Sequence, residues 1–273
     1  MKRVLKASAR KRFKMKVINE VNLNRLIYGG ITASVMIVFL LFGLTYIQAG
    51  IITFVLMVGG YLMWAISRQK RRLALLTTDN NPEAFVEATK RQQKLMPKAA
   101  SILDVDIACG YIEMGNFQEA RELLEAYSGK MTRSVQYAYY HNLCLCLYEL
   151  GDNEKADTLY AESVMKSVPL GRLQEMSQQL LIATYFHHRG DFEMEQKVLT
   201  KLLSRKGLSE YMRLHVYASL GMMYEIKGEL ETAENNYAYV AGASGTLHIT
   251  KRAQAYLESV REKRENNEKS IGR

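Results

Sequence analysis

From Leu26 to Ile66 the chain carries no Asp, Glu, Lys or Arg, a run of 41 residues. One helix needs only ~20 apolar residues to cross a ~30 Å hydrocarbon core. A single helix of this length would be ~60 Å long, too long for tilting to accommodate. The run therefore predicts an N-terminal two-helix transmembrane hairpin, with spans at 26–47 and 50–66. YIQAGI, Tyr46 to Ile51, would supply the turn, with Gln48 as its polar residue and Gly50 as its flexible one. A signal peptide does not fit, because its apolar region is only ~7–15 residues long. A hairpin buried in a soluble core is the competing reading, and so long an uncharged run argues against it. Gly29, Gly30, Gly43, Gly59 and Gly60 suit close packing of two helices in lipid. Tyr28, Tyr61 and Trp64 fall near span ends, where aromatic belts form.

Lys and Arg set the expected orientation. Residues 1–25 hold nine basic residues and one acid, Glu20, and Arg68–Arg72 (RQKRR) adds four more basic residues. The turn between the spans has none, so both termini are expected in the cytoplasm of an integral membrane protein. The short, basic-flanked hairpin suits a bacterial cell membrane. Segment 1–25 is either a topogenic tail or a contact for anionic lipid, and 67–80 reads as a basic juxtamembrane linker. Residues 67–100 carry eight basic and three acidic side chains. That leaves 20 basic against 24 acidic in 101–273, a net charge of −4 out of +9 for the whole chain. The basic balance therefore belongs to the membrane flank, and a mildly acidic domain argues against a nucleic-acid partner.

A second pattern governs the rest. Four glycines recur in similar contexts: Gly115 in CGYIEMGNFQEARELL, Gly151 in CLCLYELGDNEKADTLY, Gly190 in ATYFHHRGDFEMEQKVL and Gly228 in GMMYEIKGELETAENNY. Their spacings are 36, 39 and 38 residues. Seven residues before each glycine stands a small residue: Ala108, Cys144, Ala183, Gly221. Four before it comes Tyr111, Leu147, Phe186 or Tyr224. Five after it comes Ala120, Ala156, Glu195 or Ala233, and nine after it Leu124, Tyr160, Leu199 or Tyr237. The small residues let two helices approach, the large ones fill the gap between them, and the glycine ends the first helix in a left-handed conformation.

As a set, these positions resemble the tetratricopeptide repeat family over about residues 101–245, in four copies. The third copy departs from the pattern at Glu195, where the family has Ala, and all four lack the closing proline. The spacings exceed the family's ~34 residues. The resemblance implies an all-α fold: a TPR-like α-solenoid of about four repeats within 81–267. A cap helix is expected at 82–95, with Asn81 as N-cap and Pro82 at the first position. A last helix is expected at 246–267, followed by a tail at 268–273.

Catalytic signals are missing. The sequence has no phosphate-cradling glycine loop, nucleophile elbow or HExxH pattern. Neither a cofactor nor a metal is expected. Asp104 and Asp106 are two apart on a helix, hence on different faces. The five histidines show no ligand-like spacing with carboxylates or cysteines. Cys109, Cys144 and Cys146 read as core residues of a protein in a reducing compartment.

The resemblance also implies a concave groove lined by the first helix of each repeat. Carried over by position, the groove takes Ile112 and Glu113, with Ile102, Val105 and Cys109 before them. Next come His141, Leu145, Tyr148 and Glu149, then Thr184, His187 and His188 after Leu180. The fourth copy adds His215, Met222 and Glu225, with Ala218 between. This surface has no Lys or Arg to hold a carboxylate, so an amphipathic helix or an extended apolar segment fits it better. Two states of the groove stand open: free for a partner, or filled by its own cap helices. The functional expectation is a non-enzymatic, membrane-anchored scaffold that binds a protein or peptide partner. The alternative is an accessory subunit of a transport or secretion complex, with the hairpin as its contact.

Overall fold

The computed structural model describes residues 30, 34–39, 45–130, 132–166 and 171–271. Every regular element among them is helical. The chain divides into two compact units, Met1–Gln69 and Lys70–Arg273.

In the first unit, residues 34–39 are helical, and helix α1 runs unbroken over Tyr46–Thr77. The turn expected at Tyr46–Ile51 is therefore not there; those residues open a helix. The reason is a capping box, Thr45-Tyr46-Ile47-Gln48. The backbone N and the hydroxyl of Thr45 both donate to Gln48 Oε1, at 3.1 and 3.0 Å, and Gln48 N faces Thr45 Oγ1 at 3.4 Å. Such reciprocal bonds satisfy donors that a helix start leaves free. Gln48 starts a helix rather than marking a loop. The first expected span, 26–47, falls largely on residues outside those described.

Within α1, Ile47–Thr77 is long and apolar enough to cross a membrane, with a mean hydropathy of 2.0 over its most apolar part. Its large side chains are uncovered by protein: Phe54 is 69% exposed and Met63 74%. Among the described residues, a Cβ added at Gly30, Gly59 or Gly60 would meet nothing within 4 Å. The packing role expected for these glycines is not seen there.

In the second unit, the C-terminal part of α1 is structural, and the expected linker at 67–80 is helical as far as Thr77. Leu76 is buried with Phe85 and Val86. Arg72, read as part of a topogenic cluster, is also buried: it donates to Asp106 at 2.6 Å and to Gln92 at 3.1 Å, over the Phe85 ring. Helix α2, Pro82–Leu95, is capped by Asn81, whose side chain accepts from Ala84 N at 2.9 Å.

Four helix pairs follow: α3 (Ala100–Met114) with α4 (Phe117–Glu125), α5 (Arg133–Glu149) with α6 (Asn153–Leu159), α7 (Arg172–His188) with α8 (Phe192–Leu203), and α9 (Glu210–Ile226) with α10 (Leu230–Ala241). A π-helical turn, Tyr160–Val164, extends α6. Helix α11 spans His248–Ile271, further than the 246–267 read from sequence.

One turn geometry joins all four pairs. Gly115, Gly151, Gly190 and Gly228 have φ of 83°, 79°, 72° and 77°. The N–H after each glycine reaches back to the carbonyl of the residue four before it: Asn116 to Tyr111, Asp152 to Leu147, Asp191 to Phe186 and Glu229 to Tyr224, at 2.8–3.0 Å. This Schellman closure satisfies carbonyls that the helix end would otherwise leave free. The flanking positions interlock as spaced. Ala108, Cys144 and Ala183 are fully buried, in the same clusters as Ala120, Ala156 and Leu199 respectively. At Gly221 the space for a side chain is already taken, because a Cβ there would lie 2.6 Å from the Tyr237 ring.

The ends of this unit meet. α11 packs on α9, α10 and α3. The turn before it bonds back to the start of α2: Thr246 N donates to Asn80 O at 2.8 Å, Asn80 Nδ2 to Ser244 O at 3.2 Å, and the Thr246 hydroxyl to Glu83. His248 stands edge-on to Phe117 and occupies the space beside Gly115.

These contacts rank the glycines. Gly228→Ala places a Cβ in open space and carries only the left-handed strain, ~1–2 kcal/mol. Gly115→Ala adds a collision with His248 and should lose more, and Gly221→Ala should lose ~1–3 kcal/mol by overpacking Tyr237. Urea-denaturation midpoints of the three variants give the order.

Candidate functional site

The inner helices of the four pairs surround a cavity of about 280 Å³. Its walls come from α3, α5, α7 and α9, with Glu195 of α8, Tyr237 of α10 and one face of α11. The structure gathers ten of the twelve residues carried over by position: Glu113; His141, Leu145, Tyr148 and Glu149; Thr184, His187 and His188; His215 and Met222. Leu180 and Ala218 line it too.

Two of the twelve lie elsewhere. Ile112 packs inside the first pair with Ala108, Ala120 and Leu124. Glu225 accepts from the Tyr237 hydroxyl at 2.9 Å and pairs with Lys263 at 2.6 Å, outside the cavity wall. Ile102, Val105 and Cys109 are also off the wall.

Glu113 is the centre of the arrangement. It is 7% exposed and faces the fourth pair, 98 residues away in sequence. Tyr211 donates to its Oε1 at 2.6 Å, and His215 Nε2 lies 3.2 Å from its Oε2. Burial alone would raise the Glu113 pKa, but His215, Tyr211 and the more distant His141 outweigh it and hold the carboxyl below its ordinary value. The first and fourth inner helices are thus joined through a buried carboxylate, and the expected groove narrows to a partly open cavity.

Glu195 explains the departure in the third copy. It occupies the place of the alanine found in the other three, is 1% exposed, and both its oxygens face His187 Nδ1, at 3.0 and 3.1 Å. Two histidines therefore pair with carboxylates, a contact distinct from the ligand-like spacing that the sequence lacks. The partners sit on separate helices, or across a turn, at separations that no linear motif encodes.

The remaining histidines are tied in differently. His141 is 8% exposed; its Nε2 is 3.1 Å from Ser177 O and its Nδ1 3.3 Å from Asn142 Oδ1. His188 stacks on Tyr148, with ring centroids 4.6 Å apart. Burial pushes both imidazoles below the ordinary value of 6.5.

The expectation that no cation borders the groove is also corrected. Arg252 of α11 donates to Glu149 at 2.9 Å and to the Tyr256 hydroxyl at 2.7 Å, with its guanidinium over the Tyr256 ring. Arg252 and Tyr256 are one turn apart, so an arginine in the packing register of the last helix was the available signal. Tyr211 had none, because its partner is remote in sequence.

The three cysteines are free thiols. Burial pushes Cys144 and Cys146 up to about 12 and raises Cys109 as well, so all three are protonated at neutral pH. Among the described residues, no group of three or more His, Cys, Asp or Glu could hold a metal ion. No protein-family model matches this chain, and neither a curated protein nor a solved structure does.

Acid should loosen this site in two stages. The folded chain holds His141 below 6.5, so the unfolded chain takes up its proton first and stability falls as pH drops through about 6.5. Glu113 contributes stability above its ordinary value of 4.5, and that contribution is lost as pH falls further. Thermal midpoints measured between pH 8 and 2 should show both declines, and His141→Gln should flatten the first.

Proposed function

We propose that the chain is a membrane-anchored, non-enzymatic adaptor whose tetratricopeptide-like solenoid meets a protein partner at the membrane face. The observation that carries this reading is the pairing of two features in one chain. One is an apolar helix whose large side chains between Ile47 and Ile66 are mostly exposed. The other is a stack of four helix pairs built on one repeated turn. Stacked helix pairs offer a large, ordered surface for protein recognition, and tethering it to a bilayer raises its effective concentration for membrane-bound partners. The absence of charge from the apolar run and the basic residues flanking it favour α1 as a span with its C-terminal side in the cytoplasm.

The size of the cavity narrows the mode of contact. Its volume of about 280 Å³ is small beside a peptide helix, which is ~10–12 Å across with side chains. The partner therefore engages the rim of the cavity and inserts at most a side chain or two, instead of laying a whole helix in a groove. The titratable residues on the wall are bonded to one another, which supports a packing and recognition role over chemistry.

Two experiments test this. Deleting residues 1–69 should release a helical protein that stays soluble without detergent. Deleting 1–77 removes Arg72 and Leu76 and should lower the thermal midpoint. An insoluble or unfolded product of the shorter deletion overturns the division into anchor and domain. For recognition, Met222→Glu alters a half-buried wall residue and leaves the buried Tyr148 intact. Crosslinked pull-downs from membranes should lose partners with this variant, and identical partner sets would overturn the use of the cavity.

A further inference from the structure

Large apolar side chains exposed singly, such as Met194 on α8 or Ile226 on α9, are ordinary. Leu95, Met96 and Ile102 are different, because they are 43%, 41% and 45% exposed and share one corner of the Lys70–Arg273 unit. Gln93 makes the corner. Its amide donates to Ala100 O at 3.1 Å and to Asp104 Oδ1 at 2.6 Å, which holds the end of α2 on the first turn of α3. The corner has a defined place. Arg72, nine residues before Asn81, meets Gln92, eleven after it, and also Asp106 on α3. Residues 70–77 and α2 therefore run in opposite directions, and α3 runs back again. Leu95 and Met96 lie past Gln92, and Ile102 lies one turn before Asp106, so all three are at the end where residue 70 enters the unit. Lys70 follows Ile66, the last residue of the uncharged run, by four residues. It is within ~14 Å of Ile66 however the chain runs. Charge divides along the same axis. Lys70, Arg71 and Lys94 are exposed at this end, and Lys98 follows in sequence. Asp104 and Asp106 nearby accept from Gln93 and Arg72. Asp79 and Glu83 stand at the opposite end, by the turn between α1 and α2.

We propose that this corner is a lipid contact: Leu95, Met96 and Ile102 enter the surface of an anionic bilayer, and the basic side chains beside them meet its phosphates. Apolar tips flanked by lysine and arginine suit the boundary between acyl chains and headgroups, where each half of the patch finds its own solvent. The occupant is a bilayer and not a protein, because the patch is continuous in sequence with the apolar run and its charge is opposite to that of anionic headgroups. The proximity of a bilayer rests on reading α1 as a span. The contact itself belongs to the folded unit, and it is separate from any role of the basic segment 1–25.

The test uses the full chain in vesicles of phosphatidylcholine, alone or with equimolar phosphatidylglycerol, spin-labelled at one introduced cysteine. Met96→Cys reports the corner, Ile226→Cys an exposed apolar position outside it, and Phe54→Cys the apolar helix. Power saturation compares accessibility to oxygen, which concentrates in lipid, with accessibility to a neutral nickel chelate, which stays in water. The unsubstituted chain, labelled in parallel, gives the background of its three native thiols. With phosphatidylglycerol, the oxygen-to-nickel ratio at Met96→Cys should be several-fold that at Ile226→Cys. It should fall by about half or more in phosphatidylcholine alone. Lys94→Gln with Lys98→Gln, shown to be folded by circular dichroism, should lower it in the same way. Equal ratios at Met96→Cys and Ile226→Cys overturn the proposal, and so does a ratio indifferent to the anionic lipid or to the lysine substitutions. A Met96→Cys label closed to both reagents means cover by protein, a second copy of the chain included, and overturns it as well. The Phe54→Cys label separates this contact from the anchor reading. Lipid exposure at Phe54→Cys with water exposure at Met96→Cys keeps the anchor and refutes the contact, and the reverse pattern refutes the anchor and keeps the contact.

Discussion

A carboxylate buried to 7% exposure is tolerable only when donors reach it, and Glu113 draws its donors from the far end of its own domain. Tyr211 and His215 come from the fourth helix pair, Glu113 from the first. Because the carboxylate cannot find equivalent donors nearby, the two pairs are held face to face. The rest of the unit follows that arrangement. α11 is seated across α3 and α9, Arg252 reaches Glu149 across 103 residues, and Thr246 and Ser244 close on Asn80. The cavity is what remains in the middle.

What was legible in the sequence was local. The helix-ending glycines, the small residues seven before them and the bulky residues nine after them act within one helix pair. Their spacing therefore carries the information, and the positive φ at all four glycines is its structural counterpart. Asn81 and Pro82 announce α2 in the same way. At Tyr46–Ile51 the residues were read for the wrong property. Gln48 and Gly50 look like a turn when judged by polarity and flexibility. Thr45 three residues before Gln48 makes a capping box, and the helix begins there. The contacts between ends of the domain left no such trace. Glu113 with Tyr211 and Asn80 with Ser244 are separated by 98 and 164 residues, with no period to join them. Glu195 stood out as an exception to its column, but only the fold brings His187 to it. The position of Arg252 was equally silent, since a last helix read for its apolar face hides a polar contribution.

The electrostatics of the second unit divide along the same line. Exposed pairs such as Arg91 with Glu87, one turn apart, are each worth little in water. The buried ones, Arg72 with Asp106 and Glu195 with His187, contribute less to net stability than to the choice of which helix faces which, because a mispaired charge inside the unit would be severely unfavourable. Arg72 is a clear case: a residue that composition assigns to the membrane flank is spent on tying residues 70–77 to α2 and α3.

The closure through Glu113 also has a history within each molecule. Translation proceeds at ~5–20 residues per second, so the 98 residues between Glu113 and Tyr211 take roughly 5–20 s to synthesise. Each helix pair completes its own turn soon after it is made. For that interval, however, the fourth-pair donors of Glu113 have not been made, while the apolar helix α1 already has. A chain paused before residue 211 lacks the closure through Glu113, which exists only after the last three helices, α9, α10 and α11, arrive.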